Sequence, residues 1–143
     1  MNGFLGPLRV DYIDGCRWLV TEPFVYHLAQ ADGLEFVRVD VGEITDFASI
    51  PRLLQLRWRS PGGPWDKPAV IHDQAYACPF VQHKDGSARR IDRGEADRIF
   101  YEAMGVTKTG GITRRLLYAG VRTGGWVVWR KYRQAEAGDR QSA

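Results

Sequence analysis

The run His72-Asp73-Gln74-Ala75-Tyr76 gathers three side chains that can do chemistry together. On a helix, His72 and Tyr76 lie four apart and share a face, while Asp73 is turned away by roughly 100°. A second acid, Asp97, stands one residue after Ala96 and three before Phe100, at the edge of an apolar helical stripe. A carboxylate half inside a helix interface is costly without a partner. An imidazole N–H and a phenol hydroxyl from an antiparallel helix would supply two. A carboxylate that holds one ring nitrogen of a histidine fixes its tautomer and leaves the other nitrogen as a general base towards water. Asp73 is then free to hold a metal ion that polarises a carbonyl. His72, Asp97 and Tyr76 are therefore the candidate catalytic residues, with His72 and Asp97 expected to be hydrogen-bonded across two helices. The competing reading is a buried polar lock, kept for packing specificity rather than for chemistry.

These residues need elements to carry them. Residues 67–77 read as a helix, with Pro68 tolerated in the first turn and Pro79 closing it. Asp92 with Glu95 three residues on is close to a capping box. Behind it, Ala96, Ile99, Phe100, Ala103 and Met104 follow helical spacing, and Gly105 suits the residue just past the end. A last helix is expected over about 113–133, with Gly120 and Gly124 as a small-residue stripe that lets another backbone approach. Upstream, 17–21, 24–28 and 35–41 are rich in Val, Leu and aromatics and read as strands. Asp32-Gly33 marks the turn of a hairpin over 24–41. Residues 60–68 pack three Pro and two Gly into a loop, and 82–91 read as a polar loop around Asp85-Gly86. The expected fold is α+β in one domain of 143 residues. An antiparallel β-meander occupies 1–44, a loop region 45–66, three helices 67–134 and a frayed tail 135–143.

Two resemblances add to this. HDQAY at 72–76, followed by EADRIF at 95–100, resembles the core of secreted phospholipase A-two, and more closely the phospholipase domain of parvovirus capsid proteins. The resemblance implies a phospholipase-like helix pair and calcium-dependent hydrolysis of an ester or phospholipid. It makes His72 the general base, Asp97 with Tyr76 its orienting partners, and Asp73 a calcium ligand. Backbone carbonyls of Gly62 and Gly63, in Pro61-Gly62-Gly63-Pro64, would complete the calcium site. The segments TDFASIPR (45–52), AVIHDQAY, EADRIFYEAM and YAGVRTGGW together resemble a phage and prophage family catalogued as domain of unknown function 1353. That implies a bacteriophage or prophage origin with no settled activity. Asp46 is a further candidate metal ligand; equally, Thr45, Asp46 and Ser49 can form a turn by bonding local backbone groups. The order His27, His72-Asp73, Asp97 also matches the ligands of HD-type phosphohydrolases, but that fold is helical throughout and His27 lies in a strand-like run.

Composition excludes several classes. At 44% hydrophobic and 26% charged the chain is neither disordered nor fibrous. Cys16 and Cys78 make no disulfide framework. No positive n-region precedes a long apolar run at the N-terminus, so no signal peptide is expected, and no stretch is long enough to span a bilayer. From Val106 onward, eight basic residues face two acids, a local charge of +6 against an overall +3. Such a segment suits an anionic partner. The partners expected are an anionic lipid surface or other phage structural proteins. Nucleic acid at the basic C-terminal helix is less favoured, because its aromatics suit core packing with arginines reaching past them. The expected location is host cytoplasm during synthesis, then the virion. Two function classes stand: a phospholipase-like hydrolase, and a non-catalytic virion or assembly component of the tail or neck.

Overall fold

The computed structural model describes residues 3–14, 17–29, 32–45 and 62–143. Among the described residues the architecture is α+β: antiparallel sheets from the N-terminal part, then three helices, with no closed barrel. The strands are β1 (Gly3–Leu5), β2 (Val10–Asp14), β3 (Arg17–Val20), β4 (Phe24–His27), β5 (Glu35–Val39) and β6 (Ile44–Thr45). Helix α1 (Asp66–Ala77) follows, then β7 (Phe80–His83), β8 (Ala88–Arg90), α2 (Arg93–Val106) and α3 (Gly111–Ser142). One sheet has the order β1-β4-β5-β7-β8 and the other β2-β3-β6. The described strands therefore form two antiparallel sheets.

The β4–β5 hairpin pairs Tyr26 with Val37 and Phe24 with Val39. In its connection Asp32 and Gly33 both take positive φ, 49° and 72°, a conformation the Asp-Gly pair accepts. Alternation along these strands turns Phe24, Tyr26, Val37 and Val39 inward, all at most 2% exposed. They pack on Val70, Ile71, Ala75 and Tyr76 of α1 and on Ala96, Ile99 and Ala103 of α2. A second apolar cluster, Ala69, Phe100, Met104, Leu117 and Val121, draws on all three helices.

Three local expectations need correction. The expected loop at 82–91 is a hairpin that joins the sheet through β5, with Glu35 opposite His83. Its turn is made by the Asp85 carboxylate, which accepts from the Ser87 amide at 2.8 Å, and by Gly86 at φ 88°. Gly105 does not end α2. The helix continues to Val106, and Lys108 takes the left-handed conformation at φ 58°. The tail is helical to Ser142 rather than frayed from Ala135. Glu136 accounts for this by bonding Arg90 of β8 at 2.9 Å and pairing with Arg140 one turn on.

Candidate functional site

Helix α1 presents His72 and Tyr76 on one face, their ring centroids 4.2 Å apart. Asp92 caps α2 by accepting from the Glu95 amide at 2.8 Å, which fixes the phase that turns Asp97 inward. The His72 Nε2 lies 2.7 Å from Asp97 Oδ1, and the Tyr76 hydroxyl donates to the same oxygen at 2.7 Å. The three candidate catalytic residues are thus brought together as the sequence implies. Phe100 also packs on the imidazole, 4.9 Å between ring centroids.

The far carboxylate oxygen is also occupied. Arg122 of α3 donates from Nη1 to Asp97 Oδ2 at 2.8 Å, and Arg93 approaches the same oxygen at 3.4 Å. Arg93 also donates to the Val121 and Arg122 carbonyls, at 3.2 and 3.3 Å. Burial pushes the Asp97 carboxyl up, but the hydrogen bonds from His72, Tyr76 and Arg122 outweigh it and hold it below the ordinary value. Tyr76 moves the opposite way: burial, then the hydrogen bond to Asp97, pushes its phenol well above the usual range. An ionised carboxylate only accepts, so His72 Nε2 carries a hydrogen and donates it to Asp97. The His72 Nδ1 has no hydrogen-bond partner among the described residues.

Neither Arg93 nor Arg122 emerged from the motif reading. Arg93 stands four residues before Asp97 on one helix face, a visible signal. Arg122 was hidden in a basic stretch that reads as solvated surface. Close approach of α3 was expected at Gly120 and Gly124, and the residue that makes it differs. It is made at Gly125, whose missing Cβ leaves room for the Tyr76 hydroxyl; Gly124 has open space around it.

Among the described residues, the expected metal ligands Asp73, Gly62 and Gly63 have separate partners. Asp73 faces away from the His72–Asp97 bond. It accepts from the Thr45 hydroxyl at 2.5 Å and lines a shallow cleft with Glu43, Gln74 and Tyr132. Gly62 and Gly63 turn their amides, not their carbonyls, to the Asp66 carboxylate, Gly63 at 3.1 Å. Burial raises the Asp66 carboxyl and these two amides oppose that. Asp66 and Asp73 are seven residues apart on α1, about 10 Å along the axis. Asp46 and Pro61 lie outside the described residues. Among the described residues no group of three or more His, Cys, Asp or Glu is placed to hold a metal. Outside the site, His27 bonds the Gly33 carbonyl through Nδ1 at 3.1 Å, and His83 meets Asp85 at 3.0 Å.

A family model described as "Protein of unknown function (DUF1353)" matches residues 18–121. The chain belongs to that family. No curated protein and no solved structure matches it.

Proposed function

From membership of a family without a known function, and from the closed geometry of its polar centre, we propose that the chain is a non-catalytic bacteriophage or prophage component, in the particle or its assembly. The His72–Asp97–Tyr76 network then works as a lock between helices. One observation carries this reading: His72 and Asp97 are both 0% exposed. A general base must reach water and substrate, whereas a lock needs no opening. Arg122 and Arg93 strengthen the lock by joining α3 to the carboxylate that α1 already grips. The phage assignment is supported by the resemblance carried by TDFASIPR, AVIHDQAY and EADRIFYEAM.

A second reading rests on the His72 Nδ1. A buried ring nitrogen without a partner calls for an explanation, and this is the nitrogen that would take a proton from water in a phospholipase-like hydrolase. Asp97 would stabilise the imidazolium so formed.

Diethyl pyrocarbonate separates the two readings, because the chain has three histidines. As a lock, His72 stays unmodified in the folded chain while His27 and His83 react, and it reacts once the chain is denatured. Acylation of folded His72, with ester or phospholipid hydrolysis that disappears in His72→Gln, would replace the lock by the hydrolase.

A further inference from the structure

The outward face of α3 carries an apolar stripe that the fold leaves uncovered. Ile112, Leu116, Trp126 and Val127 are 79%, 53%, 51% and 41% exposed. Ile112, Leu116, Ala119, Thr123 and Trp126 follow the spacing four, three, four, three along the helix, and Val127 stands beside Trp126. They lie opposite Leu117, Val121 and Gly125, the residues that α3 buries. From Ile112 to Val127 the stripe runs about 22 Å. Single exposed apolar side chains are ordinary; a continuous stripe of them marks a contact surface.

Charge identifies the kind of contact. Between Gly111 and Ala135 the sequence has six basic residues and no acid. Three are used within the fold: Arg114 on the Tyr101 carbonyl, Arg122 on Asp97 and Arg133 on the Tyr76 carbonyl. Arg115, Arg130 and Lys131 have no carboxylate partner among the described residues. Helical geometry puts Arg115 on one flank of the stripe, Lys131 on the other and Arg130 in line with it. Arg130 also lies over the Trp126 ring, 5.6 Å from its centroid.

We propose that this face docks the protein on an anionic lipid surface. Ile112, Leu116, Trp126 and Val127 enter the boundary between headgroups and acyl chains, and Arg115, Arg130 and Lys131 lie among the lipid phosphates. No helix of the described residues is long and apolar enough to cross a membrane, so the contact is with the surface. A second copy is the poorer occupant, since it would bring another basic, acid-free helix face against this one. One exposed helix is also a ridge. Against a protein it offers a single seam, where a specific interface needs about 1,000 Å² in total; a bilayer accommodates a ridge of any shape. The inference does not depend on whether His72 is a lock or a base.

Co-sedimentation of the full chain with vesicles tests it. Binding is expected to phosphatidylcholine vesicles containing phosphatidylglycerol and not to phosphatidylcholine alone, and it weakens as salt rises. Arg130→Gln and Lys131→Gln are each expected to weaken partition about fivefold. Leu116→Ser and Trp126→Ser are each expected to weaken it about tenfold. All four positions are exposed, and an unchanged thermal melt confirms the fold. Absence of binding to anionic vesicles at low salt, or binding indifferent to all four changes, overturns the proposal. So does a concentration-dependent dimer without lipid that Leu116→Ser abolishes, which would assign the face to a second copy.

Discussion

The Tyr76 hydroxyl of α1 occupies the space that a side chain at Gly125 of α3 would need, and its Cζ would stand only 3.3 Å from a new Cβ. Tyr76 cannot retreat, because it donates to Asp97 at 2.7 Å. Gly125→Ala is therefore expected to cost about 1–3 kcal/mol through overpacking, although alanine is the better helix former by about 1 kcal/mol. Gly124 meets nothing within 4 Å, so Gly124→Ala keeps the helix gain. Thermal melts of the two variants should move in opposite directions. A Gly125→Ala variant as stable as the parent would mean that α3 does not sit this close to α1.

Asp97 makes stability depend on acid. Burial alone would raise its carboxyl, but His72, Tyr76 and Arg122 hold it below its ordinary 3.8. A depressed folded value means that the stabilisation is complete above the unfolded value near 3.8. It is lost as pH falls through that value towards the lower folded one. Asp97→Asn leaves buried partners uncompensated and should cost about 3–5 kcal/mol. It should also flatten the acid limb of a stability–pH curve measured by urea unfolding. An unchanged acid limb in Asp97→Asn would show that other carboxylates control it.

The His72–Asp97–Tyr76 centre was legible because helix periodicity places residues on faces. Four-residue spacing joined His72 to Tyr76, and the Asp92 cap with the Ala96–Met104 stripe set the phase of Asp97. The Asp32-Gly33 hairpin was legible for a similar reason, since few residue pairs accept two positive φ values. What escaped was set by contacts distant in sequence. Arg122 is one cation among several until α3 docks and brings it to Asp97. Gly120 and Gly124 formed the obvious small stripe, yet Gly125 makes the contact, because rotation of α3 about its axis is fixed by Leu117 and Val121 in the shared core. Beyond Phe80 and the buried Val81 the β7–β8 hairpin is largely polar, with β8 reading Ala88-Arg89-Arg90. Its pairing comes from the β5 edge rather than from alternation of its own.

Glu102 ties α2 to the sheet, a role that its exposed-looking sequence position hid. Its Oε1 accepts from the Tyr26 hydroxyl at 2.6 Å and from the Ala29 amide at 2.7 Å. Burial and then this carboxylate push the Tyr26 phenol well above its usual range. Glu102→Ala strands two donors and should cost about 1–3 kcal/mol. Tyr26→Phe removes one donor, leaves Glu102 its backbone partner and should cost only about 1 kcal/mol. Urea unfolding should rank the variants in that order. The reverse order would mean that the ring's hydroxyl, not the carboxylate, holds this junction.

Glu136 is expected to hold the end of α3 in place. It bonds Arg90 of β8 through both oxygens, at 2.9 and 3.1 Å, and lies 3.2 Å from Arg133 Nε. Arg140 pairs with it from the next turn. The hydrogen bond from Arg90 is the main reason its carboxyl is lowered from 4.5 to about 2, with Arg140 adding to it and burial opposing. The folded value is depressed, so the tie is intact above 4.5 and dissolves as pH falls from there to about 2. Glu136→Gln should therefore leave the core untouched and loosen residues 135–142. Hydrogen exchange at neutral pH should show faster exchange in that segment alone, with the Leu117 and Val121 amides unchanged. The parent chain should lose the same protection between pH 4.5 and 2. Equal protection in Glu136→Gln and parent would mean that the last turns of α3 are held by helix propensity rather than by the Arg90 contact.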